Sequence, residues 1–163
     1  MQWHELAIDV GQLLKDRGET VAVTESSSGG LISAALLSVP GASAYFKGGG
    51  VCYTGIAKQT LMGIADGDME KERASTETHA LVLAESAVSR LYSDWGIGET
   101  GAAGPTGNRY GDQPGHCCIG VAGPIKKAVT IETGSDNRLE NMHAFTDAAL
   151  RLLKDCLIET GSR

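Results

Sequence analysis

The apolar residues Trp3, Leu6, Ala7, Val10, Leu13 and Leu14 recur at helical spacing and predict an opening amphipathic helix with Gly18 as its C-cap. The short run Val21-Ala22-Val23-Thr24 predicts a buried strand, and residues 31–39 a second apolar helix closed by Pro40-Gly41. Residues 50–54 read as a strand and 57–63 as a short helix. The longest helix is expected over 76–95, with Thr76 as N-cap and Leu81, Ala84, Val88, Leu91 and Tyr92 facing inward. Residues 96–115 read as a short strand running into a long loop rich in Gly and Pro. Two further strands follow at 117–121 and 128–131. A final helix over 139–157 turns Phe145, Ala149, Leu152, Leu153 and Cys156 to the core.

Helices alternating with short, nearly all-apolar strands imply an α/β fold, a three-layer α/β/α sandwich around a mixed, mainly parallel sheet. The strand at 128–131 follows its predecessor across a Gly123-Pro124 turn, so that pair is expected to be antiparallel. Residues 1–163 read as one domain, with no internal repeat or linker. A chain of that length buries about two-thirds of its unfolded surface and needs no metal or disulfide to fold.

Composition narrows the function classes. The net charge is −6, and no basic run exceeds Lys126-Lys127. A nucleic-acid partner is therefore not expected, since it requires a basic stripe that displaces counterions. No apolar run reaches membrane-span length and no leader pattern opens the chain, so neither a membrane association nor a signal peptide is expected. Cys52, Cys117, Cys118 and Cys156 form no CxxC, which suits a reducing cytoplasm. His4, His79, His116 and His143 show no ligand spacing, and neither a metal nor a cofactor is expected. The 22 glycines point to tight turns and backbone-lined loops.

Three loops can carry chemistry. At Glu25-Ser26-Ser27-Ser28-Gly29-Gly30 a strand ends and a helix begins, so free N–H groups and the helix dipole favour an oxyanion there. A serine on that turn is a nucleophile beside its own oxyanion hole, although Ser26, Ser27 and Ser28 equally suit plain helix capping. Tyr53-Thr54-Gly55-Ile56-Ala57-Lys58 supplies a lysine and a tyrosine. Alone, Lys58 reads as a surface helix residue and Tyr53 as a half-buried strand aromatic. A lysine base must be neutral, and at a pKa of about 10.4 roughly one in two thousand is neutral at pH 7. The loop from Thr100 through Gly101, Gly104 and Gly107 offers backbone amides to a ligand. Gly96, Gly98 and Gly101 satisfy GxGxxG, but they follow a helix and run into Gly104-Pro105, which excludes the dinucleotide fingerprint.

Taken in order, Glu25-Ser26-Ser27-Ser28-Gly29-Gly30, Val39-Pro40-Gly41-Ala42-Ser43-Ala44-Tyr45-Phe46, Val51-Cys52-Tyr53 with Ala57-Lys58, and the segment from Thr100 to Gly107 resemble the CinA C-terminal family over nearly the whole chain. That family includes nicotinamide-nucleotide amidohydrolase, also called NMN deamidase. The resemblance implies a mixed-sheet three-layer fold, homo-oligomers, and hydrolysis of nicotinamide mononucleotide to nicotinate mononucleotide and ammonia. It implies Ser26 as nucleophile with Tyr53 and Lys58 as its catalytic partners. Ser27, Ser28, Gly29, Thr100, Gly101, Gly104, Gly107 and Arg138 are then expected to bind the pyridine nucleotide. Amides at the start of the following helix are expected to hold the oxyanion. The chain departs from the family in Ser27-Ser28, where the family has Cys-Thr, and in Thr54-Gly55, where it has Ser-Asn. A second family arginine falls near Asn141-Met142. Two other readings stand beside this one: a serine–lysine amidase acting on another small amide, and a non-catalytic nucleotide- or partner-binding protein linked to competence or stress.

Overall fold

The runs Val21–Glu25 (β1) and His116–Ala122 (β4) are buried along their whole length, as strands covered on both faces must be. The computed structural model, which describes residues 2–71 and 73–161, sets them in a five-stranded sheet with Phe46–Val51 (β2), Trp95–Gly101 (β3) and Lys127–Glu132 (β5). The order is β2-β1-β3-β4-β5. The sheet is mixed, as expected. Its parallel ladders, β1 with β2 and β1 with β3, equal its antiparallel ladders, β3 with β4 and β4 with β5, rather than outnumbering them.

Helices cover both faces. Gln2–Arg17 (α1), Leu31–Leu37 (α2) and Arg138–Gly161 (α6) enclose the larger core, where Leu14, Leu36, Phe145 and Leu153 meet Val21, Val23, Ile97 and Ile119. Successive strand residues point to opposite faces. Ala22 accordingly packs with Cys52, Met62, Leu83 and Ala87 on the other side, under Gly55–Met62 (α3) and Glu77–Leu91 (α5). A short polar helix, Asp66–Lys71 (α4), has no apolar periodicity and was not expected from the pattern.

Three expectations are corrected. The expected helix over 76–95 ends at Leu91, because Tyr92 turns left-handed at φ 54 and Trp95 opens β3. The longest helix is instead α6, at 24 residues. The inward face of α5 is also rotated: His79, Ala80, Leu83, Ala84 and Ala87 are buried, whereas Tyr92 is 86% exposed. The cause is a close approach between small residues. A Cβ on Gly98 would lie 2.0 Å from the Ala80 carbonyl oxygen, and one on Gly96 would lie 2.1 Å from that of Ala84. Alanines against glycines bring helix and sheet together, and a pattern weighted toward large apolar residues points elsewhere. Finally, the strand expected at 50–54 is β2, over 46–51, and its three consecutive glycines hid its alternation. Tyr53 therefore lies beyond the strand and is exposed. Among the described residues no helix is long and apolar enough to cross a membrane.

Candidate active site

The turn between β1 and α2 is organised by two buried carboxylates. Helix α2 has Gly30 as its N-cap and no capping side chain there. Its first amides are taken by Glu25, the last residue of β1. Glu25 Oε1 accepts from the N–H groups of Gly30 and Ile32 at 2.8 and 3.1 Å, and Oε2 accepts from Ser33 N–H at 2.9 Å and Ser33 Oγ at 2.8 Å. A carboxylate at this position satisfies orphan donors and complements the dipole. The free helix-start amides expected to hold an oxyanion are thus already occupied, which corrects that expectation.

Glu99, on the neighbouring strand β3, does the same for the turn itself. Its Oε2 accepts from the N–H groups of Ser26 and Ser28, both at 2.9 Å, and its Oε1 from the Ser27 hydroxyl. The Ser28 hydroxyl lies 2.7 Å from both Glu25 Oε1 and Glu99 Oε2, with one proton to share between them. Both glutamates are fully buried. Ser27 and Ser28 therefore point away from solvent into this network. The Ser26 side chain instead faces a cavity. Among the described residues no acceptor engages the Ser27 N–H.

The cavity measures about 440 Å³ and is lined by Ser26, Tyr53, Lys58, Thr100, Gly101 and Arg109, among others. Lys58 reaches it from α3, where the Thr54 hydroxyl caps the helix by accepting Ala57 N–H at 3.2 Å. Only 6% of Lys58 is exposed. Burial lowers its pKa below the usual lysine value, against the opposing pull of Cys52 and Glu99. Its Nζ lies 2.9 Å from His79 Nε2 on α5. Tyr53 stands at the rim, where its hydroxyl accepts from Arg138 Nη2 at 3.2 Å. Arg138 also donates to the Gly104 carbonyl. Arg109, which also lines the cavity, donates to the Tyr110 hydroxyl at 2.9 Å.

One cavity wall is held under strain. Ser75 has φ 64, a left-handed conformation costing on the order of 1 kcal/mol for a non-glycine residue. Its N–H donates to Thr100 Oγ1 at 2.9 Å, and its carbonyl accepts from His116 Nε2 at 2.9 Å. His116 Nδ1 meets Glu132 Oε1 at 2.5 Å, with Asp112 nearby. Burial pulls the His116 pKa down, but the Glu132 and Ser75 hydrogen bonds and the Asp112 and Glu132 charges outweigh it, so the value is raised. A raised folded-state pKa contributes stability that is fully present below the unfolded value of about 6.5 and fades as pH climbs through the folded value. The stability difference between wild type and His116→Gln, from urea unfolding, is therefore expected to be largest near pH 6 and to shrink toward pH 8.5. A difference constant across that range would remove His116 charge from the account.

The residues singled out in the sequence thus divide. Ser26, Tyr53, Lys58, Thr100 and Gly101 come together at one cavity, with Arg138 at its rim through Tyr53. Ser27, Ser28, Gly29, Gly104 and Gly107 are not among the residues lining it. A Cβ on Gly29 would meet Met142 at 2.8 Å, one on Gly104 would meet the Asp136 carbonyl at 2.8 Å, and one on Gly107 the Asp112 carbonyl at 2.0 Å, so these glycines serve packing. Asn141, where a second arginine was sought, is buried and bonded to Thr133, Ala103 and Ser135. Sequence reasoning missed Glu99, His79 and Arg109. An acid inside the glycine-rich strand WGIGETG was the visible signal for Glu99, and the inward helical phase shared with Leu83 was the signal for His79.

The profile of the CinA C-terminal domain family matches residues 4–157. A CinA-like protein of Thermosynechococcus vestitus is 38% identical over 156 residues, covering 94% of this chain and 38% of that protein. A CinA-like protein of Acaryochloris marina is 42% identical over 153 residues, covering 90% of this chain and 36% of that protein. The chain therefore spans little more than a third of the length of these curated relatives. Among solved structures, a CinA superfamily protein from Klebsiella pneumoniae superposes with a TM-score of 0.90 at 21% identity, covering 96% of this chain and 98% of the other, which shows the fold. The competence/damage inducible protein CihA from Agrobacterium tumefaciens gives a TM-score of 0.88 at 28% identity over 96% of both chains.

Proposed function

This chain belongs to the CinA C-terminal domain family, and from that premise we propose that it is an amidohydrolase converting nicotinamide mononucleotide to nicotinate mononucleotide and ammonia. The observation that carries the reading is the convergence of Ser26, Tyr53 and Lys58, from separate segments, on one cavity. Ser26 Oγ attacks the carboxamide carbon while Lys58 takes its proton, and the Oγ–C bond forms as the carbonyl electron pair moves to oxygen. The Ser27 N–H, the amide next after the nucleophile and without an acceptor among the described residues, is the donor this reading assigns to that oxyanion. The C–N bond then breaks, ammonia leaves with the proton held by Lys58, and water hydrolyses the acyl-serine.

Lowered basicity at Lys58 supports its role as base, because a buried amine gives up its proton nearer neutral pH than a solvated one. Tyr53, engaged by Arg138, stands at the rim beside the substrate, and in this reading Lys58 receives the serine proton directly or through Tyr53. Arg109 and Arg138 are the cations for the nucleotide phosphate, in place of an arginine at 141–142. The active species is a homo-oligomer in this reading.

The test is ammonia release from nicotinamide mononucleotide by the purified protein and by Ser26→Ala, with nicotinamide and nicotinamide riboside as companion substrates. Turnover confined to the mononucleotide and abolished in Ser26→Ala is expected. Turnover of small amides without a phosphate would favour a general serine–lysine amidase. Binding without turnover would favour a nucleotide-binding module.

A further inference from the structure

The contact between Lys58 and His79 is unexplained by a serine–lysine pair alone. A neutral amine has two N–H bonds and one lone pair, on a flexible four-carbon stem. To accept the Ser26 proton, the lone pair must point at Ser26, and nothing in the stem enforces that. His79 sits in the first turn of α5, where its own N–H donates to the capping Thr76 hydroxyl at 3.1 Å. Its side chain is 2% exposed, and its Nε2 lies 2.9 Å from Lys58 Nζ. His79 and Lys58 together line a smaller cavity of about 250 Å³ that shares Tyr53 and Arg109 with the larger one.

We propose that His79 is a positioning residue for Lys58: its Nε2 accepts a hydrogen bond from the lysine amine and leaves the amine's lone pair directed at Ser26. The proposal rests on the serine–lysine reading above and extends it. The ring proton then resides on Nδ1. When Ser26 Oγ–H breaks and the new Nζ–H forms, the ammonium keeps one N–H on His79 and presents another to the departing amine. A neutral imidazole suits this task better than a carboxylate. A carboxylate at the same distance would hold the amine protonated, adding to the pull already exerted by Cys52 beyond β2 and Glu99 on β3. Among the described residues lining the cavity that the pair shares, the other charged or titratable groups are Tyr53, Arg109 and Tyr110.

The test uses the full chain labelled with lysine carrying 13C at Cε, with the Lys58 signal assigned by its loss in Lys58→Met. Its NMR titration is recorded beside pH profiles of kcat and KM for wild type, His79→Gln and His79→Leu. In His79→Leu the ammonium loses its acceptor, so the Lys58 midpoint is expected to fall by about one pH unit. Its kcat should drop roughly 10–100-fold from lost orientation, with KM within about threefold. His79→Gln retains an acceptor and should recover most of both quantities. An unmoved midpoint in folded His79→Leu overturns the proposal, as does an equal loss of kcat in the two variants. If His79→Leu does not fold, His79→Asn, too short to reach Nζ, reads the same midpoint. The titration needs no substrate. A shifted midpoint in a protein that never releases ammonia would therefore sink the amidohydrolase reading and leave the Lys58–His79 pair standing.

Discussion

Lys58→Met is expected to reduce ammonia release by about 10³-fold or more, while nucleotide affinity stays within a few-fold of wild type. The magnitude follows from removing a positioned general base, a contribution of roughly 10²–10⁴. Lys58→Arg is expected to fail equally, because a guanidinium stays protonated and cannot take the Ser26 proton. Both variants should lose the acyl-enzyme in rapid-quench mass spectrometry. In the wild type, kcat/KM should rise with pH through a midpoint below the ordinary lysine value of about 10.4, since burial of Lys58 disfavours its charged form. Near-normal turnover in Lys58→Arg would transfer the base to another group, with His79 the nearest to test. His116 is already committed to Ser75 and Glu132, and His143 accepts from the Trp3 indole at 3.0 Å.

The second large effect is on stability, at Glu99. Its carboxylate is fully buried and accepts from two backbone amides and two hydroxyls of the Ser26–Ser28 turn. The Cys117 thiol lies 3.6 Å away on β4, and burial followed by the Glu99 charge raises its pKa well above the ordinary thiol value. Glu99→Ala strands those donors in a dry site, where each unsatisfied group costs about 1–3 kcal/mol. A total loss of about 3–5 kcal/mol is expected from urea unfolding, with a Tm lower by roughly 10 °C. Glu99→Gln keeps one acceptor oxygen and should cost about half as much. Activity should fall in both, because the same bonds aim Ser26 at the cavity. A loss under about 1 kcal/mol in Glu99→Ala would mean that Glu25 and the helix alone hold the turn.

Much of this molecule was legible along the chain, and the reason is periodicity. Helices α1 and α6 bury the faces their apolar spacing marks, and β1 and β4 are as buried as their composition implies. The turn at Ser26 was visible as an apolar run stopping against small polar residues. The segments bearing Tyr53 and Lys58 were visible only in company, through the resemblance of several loops taken together.

What the tertiary structure decided is which groups meet. The Glu99 and His79 side chains act on residues 73 and 21 positions away, and sequence spacing carries no information about such distances. The inward face of α5 was set by glycines on β3 and β4, because the closest helix-to-sheet contact is made where side chains are absent. The amides at the start of α2 read as free because a helix start is unsatisfied in isolation. Glu25, one residue before Ser26, folds back to satisfy them, and Glu99 crosses from the adjacent parallel strand to claim the turn. Local pattern thus determined the elements and the position of the serine turn, while strand pairing determined its hydrogen-bond partners, since only the register of β1 against β3 brings Glu99 beside Ser26.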